Sequence, residues 1–327
     1  MVLADKYHLC KGVKMHQPTM DFGYNPPTGP RSMEKIRPSF FSLDLEKTLN
    51  IASNGFKSIW VSDHLNYTDE FRLECWTLLT WIAAKFPQFD LGTIVMCNSF
   101  RNPSLMAKMA ATIQHLSNDR LILGYGAGWY AEEYKAFGFE YPKIKIRTEM
   151  LAEATQIMKM LWNKSNATFE GQYYQIKSAN CEPKPKKAPP IMIGGGGEKF
   201  TLKVVAKHAD WWNDLSRPID EAKHKLKILE EHCVNEGTNF KKIRKTMTAR
   251  IFIDNSHSKA QEKIKSMGLY IENPPIAGDH VYVTEKLTEI AELGFDLCIA
   301  VLEDFQDQED MKLFSEKVIP NFKSTEK

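Results

Sequence analysis

The sequence predicts an α/β fold, and within that class a (β/α)8 barrel, on three observations. Strand-length apolar stretches alternate with helix-period stretches about eight times along the 327 residues, the pattern of a parallel sheet with a helix after each strand. Ala52-Ser53-Asn54-Gly55-Phe56 and Ala291-Glu292-Leu293-Gly294-Phe295 each join a helix end to a strand through Gly-Phe, an echo that marks a repeating unit. No G-x-G-x-x-G opens the first helix, which counts against a doubly wound dinucleotide fold. One barrel domain over residues 1–327, with insertion loops at its C-terminal rim, is the expectation.

In chain order, Gly12–His16 reads as the first strand and Gln17–Pro38, with five prolines, as a long loop. Ser42 is placed to cap a helix carrying Leu45, Leu49 and Ala52 on one face, with Gly55 closing it. Ser58–Ser62 is the second strand, Glu74–Phe86 a buried helix and Asp90–Met96 the third strand. Asn102-Pro103 opens the next helix, Asn as cap and Pro at the first position. Arg120–Leu123 is the fourth strand and runs into the glycine loop Gly124–Trp129. A long helix from Arg147 and a hairpin around Phe169–Tyr174 follow, then the basic linker Pro183–Lys187.

Pro189–Lys199 is the stretch with the clearest chemistry. Three apolar residues bounded by prolines make a short buried fifth strand, Gly194–Gly197 follow, and Leu202, Val205, Ala206 and Ala209 then fall on one helical face. Glycine amides at a helix start accept close approach by an anion, so this reads as a phosphate cradle. Trp211–Leu215, Lys245–Ile253 and Asp296–Leu302 complete the strands. Helices are expected over Asp220–Glu236, Ser258–Met267, Thr284–Leu293 and Lys312–Phe322, and a loop over Gly268–Asp279.

Composition narrows the partners. With 43 basic and 41 acidic residues the net charge is +2, leaving no electrostatic footprint for nucleic acid or a membrane surface. The cysteines at 10, 75, 97, 181, 233 and 298 show no C-x-x-C spacing and read as reduced thiols, with no metal site. Met1–Lys6 lacks an apolar leader core and no run is long enough to span a bilayer. A soluble, cytoplasmic protein acting on a small molecule is expected.

In a barrel, the C-terminal strand ends carry the site. His16-Gln17, Asp63-His64, Ile94–Asn98, Gly126–Trp129, Gly194–Gly197 and Asn213-Asp214 all fall there. A metal-dependent hydrolase is disfavoured, because His16 has no second histidine two positions on.

These segments resemble the bacterial-luciferase-like superfamily. The resemblance rests on Ser62-Asp63-His64, Leu91–Val95, Gly124-Tyr125-Gly126-Ala127-Gly128-Trp129, Arg147–Glu153, Phe169–Tyr174 and Gly194–Lys199, in order over roughly residues 9–215. The Gly-Ala-Gly-Trp and Gly-Gly-Gly-Gly-Glu-Lys versions are most similar to the branch that uses coenzyme F420, a deazaflavin, for hydride transfer. The resemblance implies a (β/α)8 TIM barrel and a non-prolyl cis peptide at Ile94–Val95 backing the tricyclic ring. It implies Asp63 at the polar edge of that ring, Gly126, Ala127 and Gly128 beside the ribityl chain, and Gly194, Gly195, Gly196 and Gly197 at the phosphate. His64 becomes the catalytic proton donor or acceptor, since imidazole titrates near neutrality. Gln17 and Trp129 are assigned to the substrate pocket, Arg31, Lys35 and Arg37 to the acidic coenzyme tail, and the assembly to a homodimer.

One position departs from the pattern. Sugar-phosphate dehydrogenases of this branch carry Glu where this chain has Trp129, and indole offers stacking and one N–H but no general acid. Glu132 or Glu133 stands one turn along, as an exposed helix carboxylate or as a substitute acid. Reduction of an activated C=C or C=N bond is therefore expected over alcohol oxidation. The alternative reading is an FMN-dependent monooxygenase using reduced flavin and O2.

Overall fold

The computed structural model describes residues 17–28, 38–66, 72–266, 273–302 and 308–325. Its strands are β1 (Asp21–Tyr24), β2 (Ser58–Val61), β3 (Asp90–Thr93), β4 (Met96–Cys97), β5 (Leu121–Gly126), β6 (Ala167–Glu170), β7 (Gln175–Ala179), β8 (Ile191–Gly194), β9 (Trp211–Leu215), β10 (Arg244–Ile253), β11 (Ile276–Gly278) and β12 (Leu297–Leu302). The helices are α1 (Pro38–Ala52), α2 (Cys75–Lys85), α3 (Pro103–Ser117), α4 (Ala131–Ala136), α5 (Ile144–Asn163), α6 (Thr201–His208), α7 (Ile219–Glu236), α8 (His257–Ser266), α9 (His280–Glu292) and α10 (Glu309–Leu313).

Eight strands close a parallel barrel in the order β1-β2-β3-β5-β8-β9-β10-β12, with β12 returning to pair with β1. The antiparallel hairpin β6–β7 and the short β11, paired to the end of β10, are additions to it. No described helix is long and apolar enough to cross a membrane.

The first strand differs from expectation. Asp21–Tyr24, inside the segment read as loop, pairs with β12 over Asp21↔Leu297 to Tyr24↔Ala300. Its four residues include an acid and a glycine, so it carries little strand signal of its own; its pairing partners make it a strand. Gly12–His16, Arg31, Lys35 and Arg37 lie outside the described residues. So do residues 268–272 of the Gly268–Asp279 loop, while Ile276–Gly278 within it form β11.

Alternation sorts the core. Ile59, Val61, Phe22 and Tyr24 pack outward under the helices, while Trp60 points inward with Ile122, Met192, Leu297 and Ile299. Trp60 takes the space of its neighbours' side chains: a Cβ on Gly23 or Gly92, one on each flanking strand, would lie 2.4 or 2.1 Å from its indole. One helix start is built as the sequence predicts. Asn102 accepts the Ser104 amide at 2.9 Å with Pro103 at the first position of α3. Glu74 caps α2 through the Trp76 and Thr77 amides. Ser42, in contrast, lies inside α1, which begins at Pro38.

At the N-terminal mouth, Asp21 is buried among Arg244 (2.7 Å), Lys57 (2.9 Å), the Thr325 amide (3.2 Å) and the Ser324 hydroxyl (3.2 Å). The Thr325 hydroxyl also donates to it. Burial alone would raise this carboxyl; the hydrogen bonds from Thr325 and Lys57 outweigh it and hold the group below its ordinary value.

Candidate active site

The site is the opposite, C-terminal rim. Strand β2 ends at Val61 and the chain leaves it through Ser62, Asp63 and His64. Asp63 turns inward. Its carboxylate takes the Arg101 fork at 2.7 and 3.0 Å and the Cys97 amide at 2.8 Å. Arg101 also donates to Glu74 at 2.6 Å, so one guanidinium ties β2, β4 and the start of α2 together. Burial pushes the Asp63 carboxyl up, and Arg101 offsets only part of that; the Arg101 pKa is raised in return. About four lone-pair sites exist on a carboxylate, and three are used within the protein.

His64 is partly buried. Its Nδ1 lies 3.1 Å from Oε2 of Glu133, a residue 3% exposed. The other Glu133 oxygen accepts the Asn66 amide at 3.0 Å and the Leu65 amide. The imidazole stands edge-to-face against Trp129 and Tyr130, with ring centroids 5.8 and 6.4 Å away. Trp129 itself is half-exposed on the rim.

The expected cis peptide is present between Ile94 and Val95. It separates β3 from β4, so the single third strand read from sequence is two pieces. Val95 wedges between the two glycine loops: a Cβ on Gly126 would lie 2.6 Å from it and one on Gly194 2.8 Å. Gly128 has φ +75°, and a Cβ there would overlap the Tyr134 hydroxyl at 1.8 Å. That hydroxyl bonds Cys97 Sγ and Ser99, both at 3.0 Å, under Ala127. Burial pushes the Cys97 thiol up to about 11, which leaves it protonated and inert.

After β8, Gly195 adopts φ +117° and spends its amide on Asn213 at 2.9 Å. The next three amides, on Gly196, Gly197 and Glu198, donate to no acceptor among the described residues. Side chains crowd Gly196: a Cβ there would lie 2.8 Å from Asp214 and 3.0 Å from Arg217. Arg217 grips Asp214 at 2.8 and 3.1 Å, neutralising the carboxylate beside the loop. The loop is thus an amide cradle with a guanidinium at its edge, chemistry suited to an anion.

Most residues expected at the rim are there. Gln17 is not: it precedes β1 and its side chain donates to the Pro320 carbonyl at 3.1 Å, at the barrel's base. A residue before a parallel strand faces the end opposite to the residues after it, so placing the first strand late moves Gln17 away from the pocket. The sequence reading singled out neither Arg101 nor Arg217. Arg217 lies two residues past the end of β9, where barrel position alone marks it; Arg101 has no such signal, because its role depends on Asp63 and Glu74 meeting it.

The model for luciferase-like monooxygenases matches residues 44–288, most of the barrel. The chain belongs to this family. Among curated relatives of this luciferase-like chain, the F420-dependent glucose-6-phosphate dehydrogenase of Amycolatopsis mediterranei (strain U-32) is 36% identical over 160 residues, 47% of this chain and 46% of that protein. The enzyme of the same name from Kineococcus radiotolerans is 30% identical over 217 residues, 64% of each chain. The chain thus spans about half to two thirds of the length of these relatives. Two solved structures align along almost its whole length. An F420-dependent secondary alcohol dehydrogenase in complex with an F420-acetone adduct has a TM-score of 0.79 at 21% identity, covering 93% of this chain and 99% of that one. The coenzyme F420 dependent tetrahydromethanopterin reductase of Methanopyrus kandleri gives 0.75 at 19%, covering 93% and 100%. At such identities the likeness shows the fold alone.

Proposed function

We propose that this chain is an oxidoreductase transferring a hydride between coenzyme F420 and a small organic substrate. One observation carries the reading: three unspent amides at Gly196–Glu198 stand on the same rim as His64, with Val95 wedged between the two glycine loops. The names of the relatives support the choice of coenzyme. The residues present fit the group: a side chain at Gly196 would fill the cradle, and the amides and Arg217 match a phosphate.

In this reading Gly196, Gly197, Glu198 and Arg217 hold the phosphate, Ile94-Val95 back the ring and Gly126–Gly128 flank the chain between them. The coenzyme, when bound, supplies the carbon that gives or takes the hydride. His64 exchanges the proton that accompanies it, and Trp129 walls the substrate side. Asp63, which the resemblance places at the polar edge of the ring, also holds the Cys97 amide and Arg101 in place. With Trp129 in place of a carboxylate, we keep reduction of an activated C=C or C=N bond as the favoured chemistry. Five described cysteines are buried free thiols, which supports a reducing, cytoplasmic setting; a single-domain homodimer completes the proposal.

Titration of the purified protein with F420 and with FMN tests the coenzyme. Tighter binding of F420, weakened at least tenfold by Gly196→Ala, is expected. Tighter binding of FMN would turn the reading to a flavin monooxygenase. A panel of enones and imines with reduced F420, and of alcohols with the oxidised coenzyme, tests the reaction; turnover confined to the alcohols would overturn the reductase assignment.

A further inference from the structure

We infer that Glu133 is a positioning residue that sets the protonation pattern of His64. The inference rests on the reading of His64 as the proton-exchanging group, but its first test does not. Glu133 sits on α4, one turn beyond the glycine loop, and its carboxylate reaches back to the segment after β2. Oε1 is claimed by two backbone donors, the amides of Leu65 and Asn66. Oε2 therefore faces His64 Nδ1 at 3.1 Å, with Glu133 buried and His64 partly exposed, and a carboxylate has only lone pairs to offer. The neutral ring must then carry its hydrogen on Nδ1 and its lone pair on Nε2, which points away from Glu133.

The consequence is directional. In the reading above, Nε2 would receive a proton leaving the substrate, and in the reverse direction the same N–H would return it. The imidazolium formed in between is stabilised by the Glu133 carboxylate behind it. The two amides do a second job. They lock the rotation of the carboxylate, so the ring is aimed by the backbone of its own following residues and not by a freely turning side chain. Trp129 and Tyr130, edge-on to the imidazole, close its remaining freedom.

Glu133→Gln separates this role from a merely structural one. The amide oxygen still satisfies Leu65 and Asn66, so the fold and coenzyme binding persist. The amide nitrogen now donates to Nδ1 and forces the hydrogen onto Nε2. Long-range proton–nitrogen correlation spectra of protein labelled with 15N-histidine, assigned through His64→Asn and recorded above the titration range of histidine, read the pattern without coenzyme. We expect an Nδ1–H ring in the parent and an Nε2–H ring in the variant. In turnover, kcat should fall about 10²–10⁴-fold with the F420 dissociation constant within twofold. If Glu133→Gln does not fold, Glu133→Asp keeps the acceptor and should retain the Nδ1–H ring with a smaller loss of kcat. An Nε2–H ring in the parent, or unchanged kcat in a Glu133→Gln protein whose ring has switched, overturns the inference. Turnover surviving in His64→Asn would instead remove the proton role of His64 and leave the Glu133 geometry standing.

Discussion

At the base of the barrel Asp21 gathers Arg244, Lys57, Thr325 and Ser324 around a buried carboxylate; at the rim Asp63 takes the fork of Arg101 and the amide of Cys97. Both pair aspartate with arginine, yet their pKa values move in opposite directions, down for Asp21 and up for Asp63. The base is rich in donors from three separate parts of the chain, so the charge is better served folded than in water. The rim is poorer in donors, and burial wins. A carboxylate raised in the folded state costs stability at neutral pH, a cost that appears as pH rises through its ordinary value toward the raised one. The base therefore closes the barrel, while the rim spends stability to hold His64, Glu133 and the glycine loops in place.

If that division is right, substitutions of rim side chains move turnover, those at the base move melting, and a rim glycine packed against its neighbours moves stability as well. The largest effect expected is His64→Asn, a loss of kcat of about 10²–10⁴-fold with the melting temperature unchanged, measured by coenzyme absorbance and calorimetry. A parallel drop in melting would break the comparison. Next, Gly128→Ala forces a side chain to φ +75° against the Tyr134 hydroxyl, and should cost about 2–4 kcal/mol in urea unfolding. A neutral result there would mean that Tyr134 is not an anchor of the rim.

Asp21→Asn should cost about 1.5–3 kcal/mol at neutral pH, the worth of hydrogen bonds to a charged group, with kcat unchanged. Because the folded-state pKa of Asp21 lies below the ordinary 3.8, its contribution is fully present above that value and is lost as pH falls through the depressed one. Acid unfolding curves of the two proteins should accordingly converge at low pH; parallel curves would assign the network no role in acid stability. The smallest effect is Trp129→Phe. The half-exposed indole should leave unfolding within about 0.5 kcal/mol and shift KM several-fold; a shift in melting instead would make it part of the scaffold.

How legible the molecule was follows from where each signal lies. Asn102-Pro103 and the hairpin carry their structure in neighbouring residues, and they stand where the pattern put them; the fourth strand instead runs past Leu123 to Gly126, through half of the expected glycine loop, because it pairs there with β8 and β4. The first strand misled because Asp21-Phe22-Gly23-Tyr24 holds its glycine for Trp60 and its acid for Arg244, partners 37 and 223 positions away. Glu133 reads in sequence like any helix carboxylate in Ala131-Glu132-Glu133-Tyr134. Only the return of α4 over the end of β2 separates it from Glu132, which remains exposed.

Local order along the chain was enough to determine the alternation of strands and helices, the family, the position of His64 and the bare amides after β8, since each depends on residues within a few positions. Which oxygen faces which nitrogen was decided by the closed barrel alone. Closure brings strand ends far apart in sequence within hydrogen-bonding reach, and a buried polar group must then bond whatever closure places beside it.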